Sequence, residues 1–197
     1  MTMNIILVLV VAGVLFAGYA VGVYNSMQRL KTQIKASIQE IGNQLKRQAS
    51  LIPNLEASVK GMMKQESGIF KMLTDARKSI ATAQETQNAT DIEAAIEKVQ
   101  SMVPKISIAV EDNPEMKSDA TVTKMMNELT DTADKLMYAR RAVIDLSQNY
   151  NEKLVTFPSN IVAGMFGFKE ENGLVTAMTG SHVEVSSAET KEVKIDL

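Results

Sequence analysis

An apolar run near the N-terminus, from Ile5 to Val23, restricts this chain more than any other feature. It consists of Ile, Leu, Val, Ala, Phe and Tyr, broken only by Gly13, Gly18 and Gly22, and no charged side chain occurs before Arg29. About 20 such residues in a helix satisfy their backbone hydrogen bonds internally and match the hydrocarbon thickness of a bilayer. The expected reading is a transmembrane anchor over residues 1–23, with the lipid bilayer as its first partner. A cleaved signal peptide is the rival. It would begin with basic residues, and Met1-Thr2-Met3-Asn4 has none. The apolar pattern also continues past Val23 into an amphipathic helix instead of ending there.

Two further properties belong to the run. Gly18 and Gly22 form a GxxxG, and Gly13 with Ala17 repeats the small-xxx-small spacing beside it. Residues four apart share a helix face, so these are candidate oligomerisation positions where a second helix can approach closely. Glycine is common in transmembrane helices in any case, which is the plain alternative. On the C-terminal flank Arg29, Lys31, Lys35, Lys46 and Arg47 face only Glu40, whereas the N-terminal flank carries just the α-amino group. The positive-inside bias then puts the N-terminus outside and the body in the cytoplasm.

Beyond the anchor the period is helical. Met27, Leu30, Ile34, Ile38, Ile41 and Leu45 recur at steps of three and four, with Arg29, Lys31, Gln39, Glu40 and Lys46 on other faces. Proline costs about 3 kcal/mol inside a helix but is tolerated in its first turn. Ser50-Leu51-Ile52-Pro53 therefore predicts a break, with Ser50 as the N-cap of a second helix. That helix carries Leu55, Val59, Met62, Ile69, Leu73, Ala76 and Ile80 and runs out in the polar stretch 84–90. Thr90 or Asp91 can cap a third helix, with Ile92, Ile96, Val99, Met102 and Val103 inward. Pro104 is expected to bend or end it, and Glu111-Asp112-Asn113-Pro114 reads as a loop. A fourth helix, about residues 120–156, places Met125, Leu129, Leu136, Val143, Leu146, Tyr150 and Leu154 on one side. The fold class is all-α, an N-terminal transmembrane helix continuous with an antiparallel four-helix bundle over 24–156.

Phe157-Pro158-Ser159-Asn160 ends that bundle and opens an apolar patch over 157–168. Ile161, Val162, Met165, Phe166 and Phe168 in it are candidates for contact with membrane or another subunit, folding back onto the bundle end being the rival. The polar tail, 169–197, changes period. Val183 and Val185, then Val193, Ile195 and Leu197, alternate with polar residues as short β-strands do. Isolated strands are marginal in water, so the tail is either disordered or paired with a neighbour, and Val193 and Ile195 join the oligomerisation candidates.

Several stretches resemble the LemA family. They are Tyr24-Asn25 after the anchor, QLKRQASLIPNLEASVKGM over 44–62, and ARRAVIDLSQNYNEKLVTFPSNIVAGMFGF over 139–168. The likeness covers Tyr24 to Phe168, and the closing Val-Lys-Ile-Asp-Leu is similar to the end of other members. The resemblance implies a helical bundle on an N-terminal membrane anchor, in bacteria or their relatives. It brings associations with envelope stress, membrane proteases and, in one lineage, magnetosomes, but no settled activity and no residue roles.

The chemistry the residues offer is sparse. There is no Cys, and the single His182 lies in the tail, so neither thiolate chemistry nor a paired-His metal site is available within one chain. No Glu-x-x-His di-iron motif or phosphate-binding Gly-rich loop occurs, and nothing singles out a Ser–Lys pair. A net charge of -2 carries no nucleic-acid signature. No catalytic residue, cofactor or metal is expected. Arg140 and Arg141 are read as a solvated face with local pairs, or as partners for a neighbouring helix's carboxylate. Asn149-Tyr150-Asn151 is read as shaping a helix end, and the pairs Met62-Met63 and Met125-Met126 as core filling. The expected function is a self-assembling membrane-anchored scaffold of the cell envelope, without catalysis. The alternative is an adaptor for a membrane-protein partner such as an envelope-stress protease. If the orientation is right, a reporter fused after Leu197 is active in its cytoplasmic form only; activity of a periplasmic-type reporter would overturn it.

Overall fold

The first helix sets the frame, and it is longer than its sequence punctuation suggests. In a computed structural model that describes residues 2–60 and 67–174, α1 runs from Thr2 to Val59 without interruption. Its 58 residues extend about 87 Å at 1.5 Å per residue. Its N-terminal part is long and apolar enough to cross a membrane, and Ile5 to Val11, Val14 and Leu15 are exposed along it.

The break expected at 50–53 does not occur. Pro53 lies inside α1, and Ser50 caps nothing; its Oγ donates back to the Lys46 carbonyl at 3.2 Å. The physical reason is the stripe of apolar residues that passes straight through the proline. Leu45, Ile52, Leu55 and Val59 are all buried, while Pro53 and Asn54 face away from the core. Each such side chain contributes roughly 1.5–3 kcal/mol on burial, which together outweighs the roughly 3 kcal/mol cost of an interior proline. Leu55 and Val59, expected on the second helix, therefore complete the first.

The next helix, α2, spans Ser67–Thr86 and packs against α3, Ala89–Asp112. The cap of α3 is Asn88, two residues before Thr90 and three before Asp91, the positions expected. Its Oδ1 accepts from the Asp91 N–H at 2.8 Å, and Asp91 Oδ2 accepts in return from Asn88 Nδ2 at 2.7 Å. The first bond satisfies a backbone donor that a helix start leaves unpaired, and the second holds the Asn88 side chain in place to accept it. Pro104 does not end α3, for the same reason as Pro53: Val103, Ile106 and Val110 continue the buried face past it. Asn113 then serves both as C-cap of α3 and as N-cap of α4, Pro114–Ser118, its Oδ1 accepting from the Glu115 and Met116 N–H groups. Asp119 caps α5, Ala120–Val155, in the same manner, and those bonds, Val122 first and then Thr121, hold its carboxyl below the usual range.

Antiparallel α1 and α5 form the longest contact in the body, and α2 and α3 form a second pair beside them. One core takes side chains from α1, α2, α3, α4 and α5, including Ile41, Leu73, Ile96, Met116 and Leu136. Met125 and Met126 pack into it as expected; Met62 and Met63 lie outside the described residues. Among the described residues all regular structure is helical. The strand-period segments at Val183 to Val185 and Val193 to Leu197 lie outside them.

A buried polar pair fixes the register of the long contact. Gln48 on α1 is fully buried and donates from Nε2 to the Leu129 carbonyl at 2.9 Å and to Thr132 Oγ1 at 2.7 Å on α5. Sliding either helix by one turn would leave these groups buried and unpaired. Removing a buried hydrogen-bonding side chain costs about 1–3 kcal/mol. Gln48→Ala should lower the unfolding free energy of the detergent-solubilised chain by about 2 kcal/mol and Thr132→Val by about 1 kcal/mol. An unchanged denaturation midpoint for Gln48→Ala would remove this pair as the register lock.

Candidate functional site

The end of the body nearest the apolar segment gathers most of the residues that the sequence singled out. There α5 finishes, the chain turns at Phe157-Pro158, and α6, Ser159–Met165, folds back across α1 and α5. Val162 and Ala163 are buried against Val23, Met27, Ile34 and Tyr150, with Ala20, Leu30 and Phe168 packed alongside. Val162 is thus sequestered within the chain and is not a contact for membrane or another subunit. Phe168 is half-buried and also belongs to the fold-back. Ile161, Met165 and Phe166 remain exposed. The patch is therefore divided, one face inward and one face outward, as the one-residue offset of Ile161 from Val162 and the four-residue step to Met165 require on a helix.

The ending of α6 accounts for its Phe-Gly-Phe. Gly167 has φ +68°, a left-handed conformation that glycine adopts without penalty. Its N–H donates to the Gly164 carbonyl at 3.2 Å, and the Phe168 N–H reaches back to the Ala163 carbonyl at 3.0 Å. These two bonds make a Schellman stop, with Phe168 packing back against the helix it ends. The stop aims both phenylalanines at Tyr24, whose ring centroid lies 5.0 Å from Phe166 and 5.5 Å from Phe168. Phe168 also meets Tyr150 edge-on at 6.4 Å. Tyr24, Tyr150 and Phe-Gly-Phe, far apart in sequence, form one aromatic cluster.

Residues 169–174, expected as the start of a polar tail, are docked on the body. Asn151 holds the backbone of Glu171 from both sides, Nδ2 donating to its carbonyl at 2.8 Å and Oδ1 accepting from its N–H at 3.0 Å. Lys31 pairs with the Glu171 carboxylate at 3.0 Å, and this hydrogen bond, followed by the attraction of the charge, raises the Lys31 pKa above its ordinary value. Leu174 is buried in the main core. Gly173, at φ +56°, passes so close to α5 that an added Cβ would sit 2.6 Å from Ser147 Oγ. Beneath this strap the Tyr150 hydroxyl and Ser147 Oγ are buried without a hydrogen-bond partner among the described residues. Burial pushes the Tyr150 phenol up. Asn151 thus holds the strap, whereas its cluster was expected to shape the end of α5. The strap itself was missed by the sequence reading, although Asn172-Gly173 is a turn signal that marks where it bends.

The arginine pair divides between its two readings. Arg140 Nε donates to both oxygens of Glu93 on α3, at 2.9 and 3.2 Å, in a largely buried pair, while Arg141 meets Asp145 at 3.7 Å on the exposed face of α5. Among the described residues nothing lies within 4 Å of a Cβ added at Gly13, Gly18 or Gly22, so the small-residue face with Ala17 is left open by them. Gly22 borders an open groove of about 690 Å³ that also involves Ser26, Asn149, Lys153 and Ser159. Val193, Ile195 and His182 lie outside the described residues. Among the described residues no three His, Cys, Asp or Glu side chains are grouped as metal ligands would be.

An all-helical body built directly onto a long apolar N-terminal helix defines the class of protein. The LemA family model matches residues 37–186, three quarters of the chain. The chain belongs to the LemA family. The match begins after Tyr24 and extends beyond Phe168, so it includes the strap and part of the tail. No curated protein matches the chain.

Two variants separate the strap's supports. Gly173→Ala should undock residues 169–174 and make them susceptible to limited proteolysis at neutral pH, while the rest of the body stays folded. Tyr150→Phe removes a buried hydroxyl that has no partner among the described residues and should leave stability within about 1 kcal/mol of the parent or raise it. Both raised pKa values act in the same direction: their contributions are complete below about pH 10 and are lost as pH rises through the folded-state values. Strap protection should therefore hold from neutrality to about pH 10 and fall above it, and loss of protection at mildly acid pH would contradict the arrangement.

Proposed function

We propose that the chain is a single-pass membrane protein whose helical body, an antiparallel four-helix bundle, acts as a rigid self-assembling scaffold on the cytoplasmic face of the cell envelope. The observation that carries this reading is the continuity of α1. Ala20, Val23 and Met27 pack into the body within the same helix that carries the apolar run, with no linker between the two. A removable signal peptide would be joined by a cleavable segment, whereas here the end of the run is part of the folded core. A stiff junction of this kind transmits position and orientation and suits a structural role. Self-assembly has its support in the open face at Gly13, Ala17, Gly18 and Gly22. The absence of Cys and the single His182 in the tail support a role without catalysis.

A second reading, an adaptor for a membrane partner, is favoured by one feature of α5. Tyr138 is 76% exposed with Met137 beside it, well away from α6, and an exposed aromatic is a common anchor for a partner protein. Particle size separates the two readings. The purified chain in mild detergent should scatter light as a multimer, and Gly18→Leu with Gly22→Leu, or deletion of 175–197, should each reduce the particle. A monomer at high concentration would leave only the adaptor reading, to be tested by recovery of a partner from native membranes that Tyr138→Ala abolishes.

A further inference from the structure

We propose that α6 and its flanks form a foot that rests in the headgroup–acyl boundary of the bilayer, with Phe157, Ile161, Met165 and Phe166 as its lipid-facing side chains. This rests on the membrane-span reading and extends it, from a helix that crosses the bilayer to a body that also lies against it.

The first support is depth. The inward face of α6, Val162 and Ala163, packs on Val23 and Met27 with Ala20 alongside, and Phe166 lies over Tyr24. Ala20 and Val23 belong to the last turn of the apolar run, and Tyr24 is the residue that follows it. At 1.5 Å per residue, Ala20 to Tyr24 spans about 6 Å along the axis. An interfacial amphipathic element buries its apolar face about 5–10 Å into the boundary, of the same order as this overlap of α6 with the end of the run. Since α1 has no break between Thr2 and Val59, the body cannot swing away from the bilayer and carry α6 with it.

The second support is where the exposed apolar surface lies. Among the described residues beyond Tyr24, the large apolar side chains left exposed are Ile108, Met137 and Tyr138 along the body, and Val155, Phe157, Ile161, Met165 and Phe166 together at this end. Phe157 is 79% exposed, Met165 66%, Phe166 54% and Ile161 46%, whereas Ile41, Leu73, Ile96 and Leu136 in the main core are completely buried. The charges that flank α6 in the chain, Lys153 and Lys169 against Glu152 and Glu170, cancel, so the apolar side chains of α6 make this contact, with the cations Arg29, Lys31 and Lys35 of α1 on its water side. Lipid is the occupant already next to this surface once the apolar run is in the bilayer; any other occupant must displace it.

The absence of native Cys makes the test direct. Single variants Leu9→Cys, Met165→Cys and Ser118→Cys, in the full chain, are labelled with an environment-sensitive fluorophore and reconstituted in phosphatidylcholine vesicles. Quenching is compared between lipids carrying a nitroxide in the upper acyl chain and an aqueous quencher. Leu9 reports the span and Ser118, exposed at the far end of the body, reports water. The expected result is a blue-shifted Met165 label, quenched severalfold more by the shallow lipid nitroxide than the Ser118 label and protected from the aqueous quencher. A Met165 label open to the aqueous quencher, with the Leu9 label still in lipid, would overturn the foot and leave the span intact. Protection from both quenchers would place another protein copy there instead of lipid, and also overturns it. A Leu9 label that behaves like the Ser118 label would remove the span reading itself.

Discussion

Because one uninterrupted helix carries both the apolar run and the first face of the body, everything else must be arranged along its axis. The helix is stabilised differently over its length. At its N-terminal end it is an exposed apolar cylinder, long enough to cross a membrane, and from Ala20 onward it offers α5 and α6 a single stripe. The stripe passes through Pro53 because the buried residues on either side outweigh the local cost of the ring. Had α1 broken there, Leu55 and Val59 would have been free to turn with α2, and α5 would have lost the distal part of its partner.

The antiparallel contact between α1 and α5 then determines what lies where. It puts the end of α5 beside the start of the body, so the chain emerging from α5 must close that end. Closure takes three connected steps. The chain turns after Val155, α6 presents Val162 inward, and the Schellman stop at Gly167 returns Phe168 to Tyr150 and Tyr24. From there the strap runs along the body, held at Asn151 and Lys31 and pressed close at Gly173. The family resemblance in Tyr-Asn, Phe-Pro-Ser-Asn and Phe-Gly-Phe corresponds to this closure, since each of the three contributes a residue to it or flanks one.

Polar groups inside the body act mainly on alignment. Gln48 with Thr132 ties α1 to α5, and Arg140 with Glu93 ties α5 to α3. Paired buried groups add little net stability, but a shifted register leaves them unpaired at a cost, so they select one alignment among several that would bury similar apolar area. The exposed Arg141 beside Asp145 is screened by water and has no such consequence. Adjacent arginines of the same type thus do different work, and the difference lies only in which face of α5 each occupies.

By itself the sequence determined the helical class, the apolar run, the apolar stripes of α2, α3 and α5 and the extent of α5, because these follow from periodicity, a local property of the chain. It also carried the family, through residues that turned out to close one end of the body. Helix ends were legible only in part: Glu111-Asp112-Asn113-Pro114 reads as a loop, yet Glu111 and Asp112 complete α3 and Pro114 opens α4, with Asn113 alone between them as a cap to both. They were misread where proline was taken as decisive, because the energy that overrides it comes from residues of other helices. Tertiary structure alone decided that the patch after α5 divides into an inward and an outward face, that residues 169–174 dock as a strap, and that Arg140 meets Glu93. Each depends on which distant surface is opposite, and the pairing of α1 with α5 fixes that surface by geometry that no local pattern encodes.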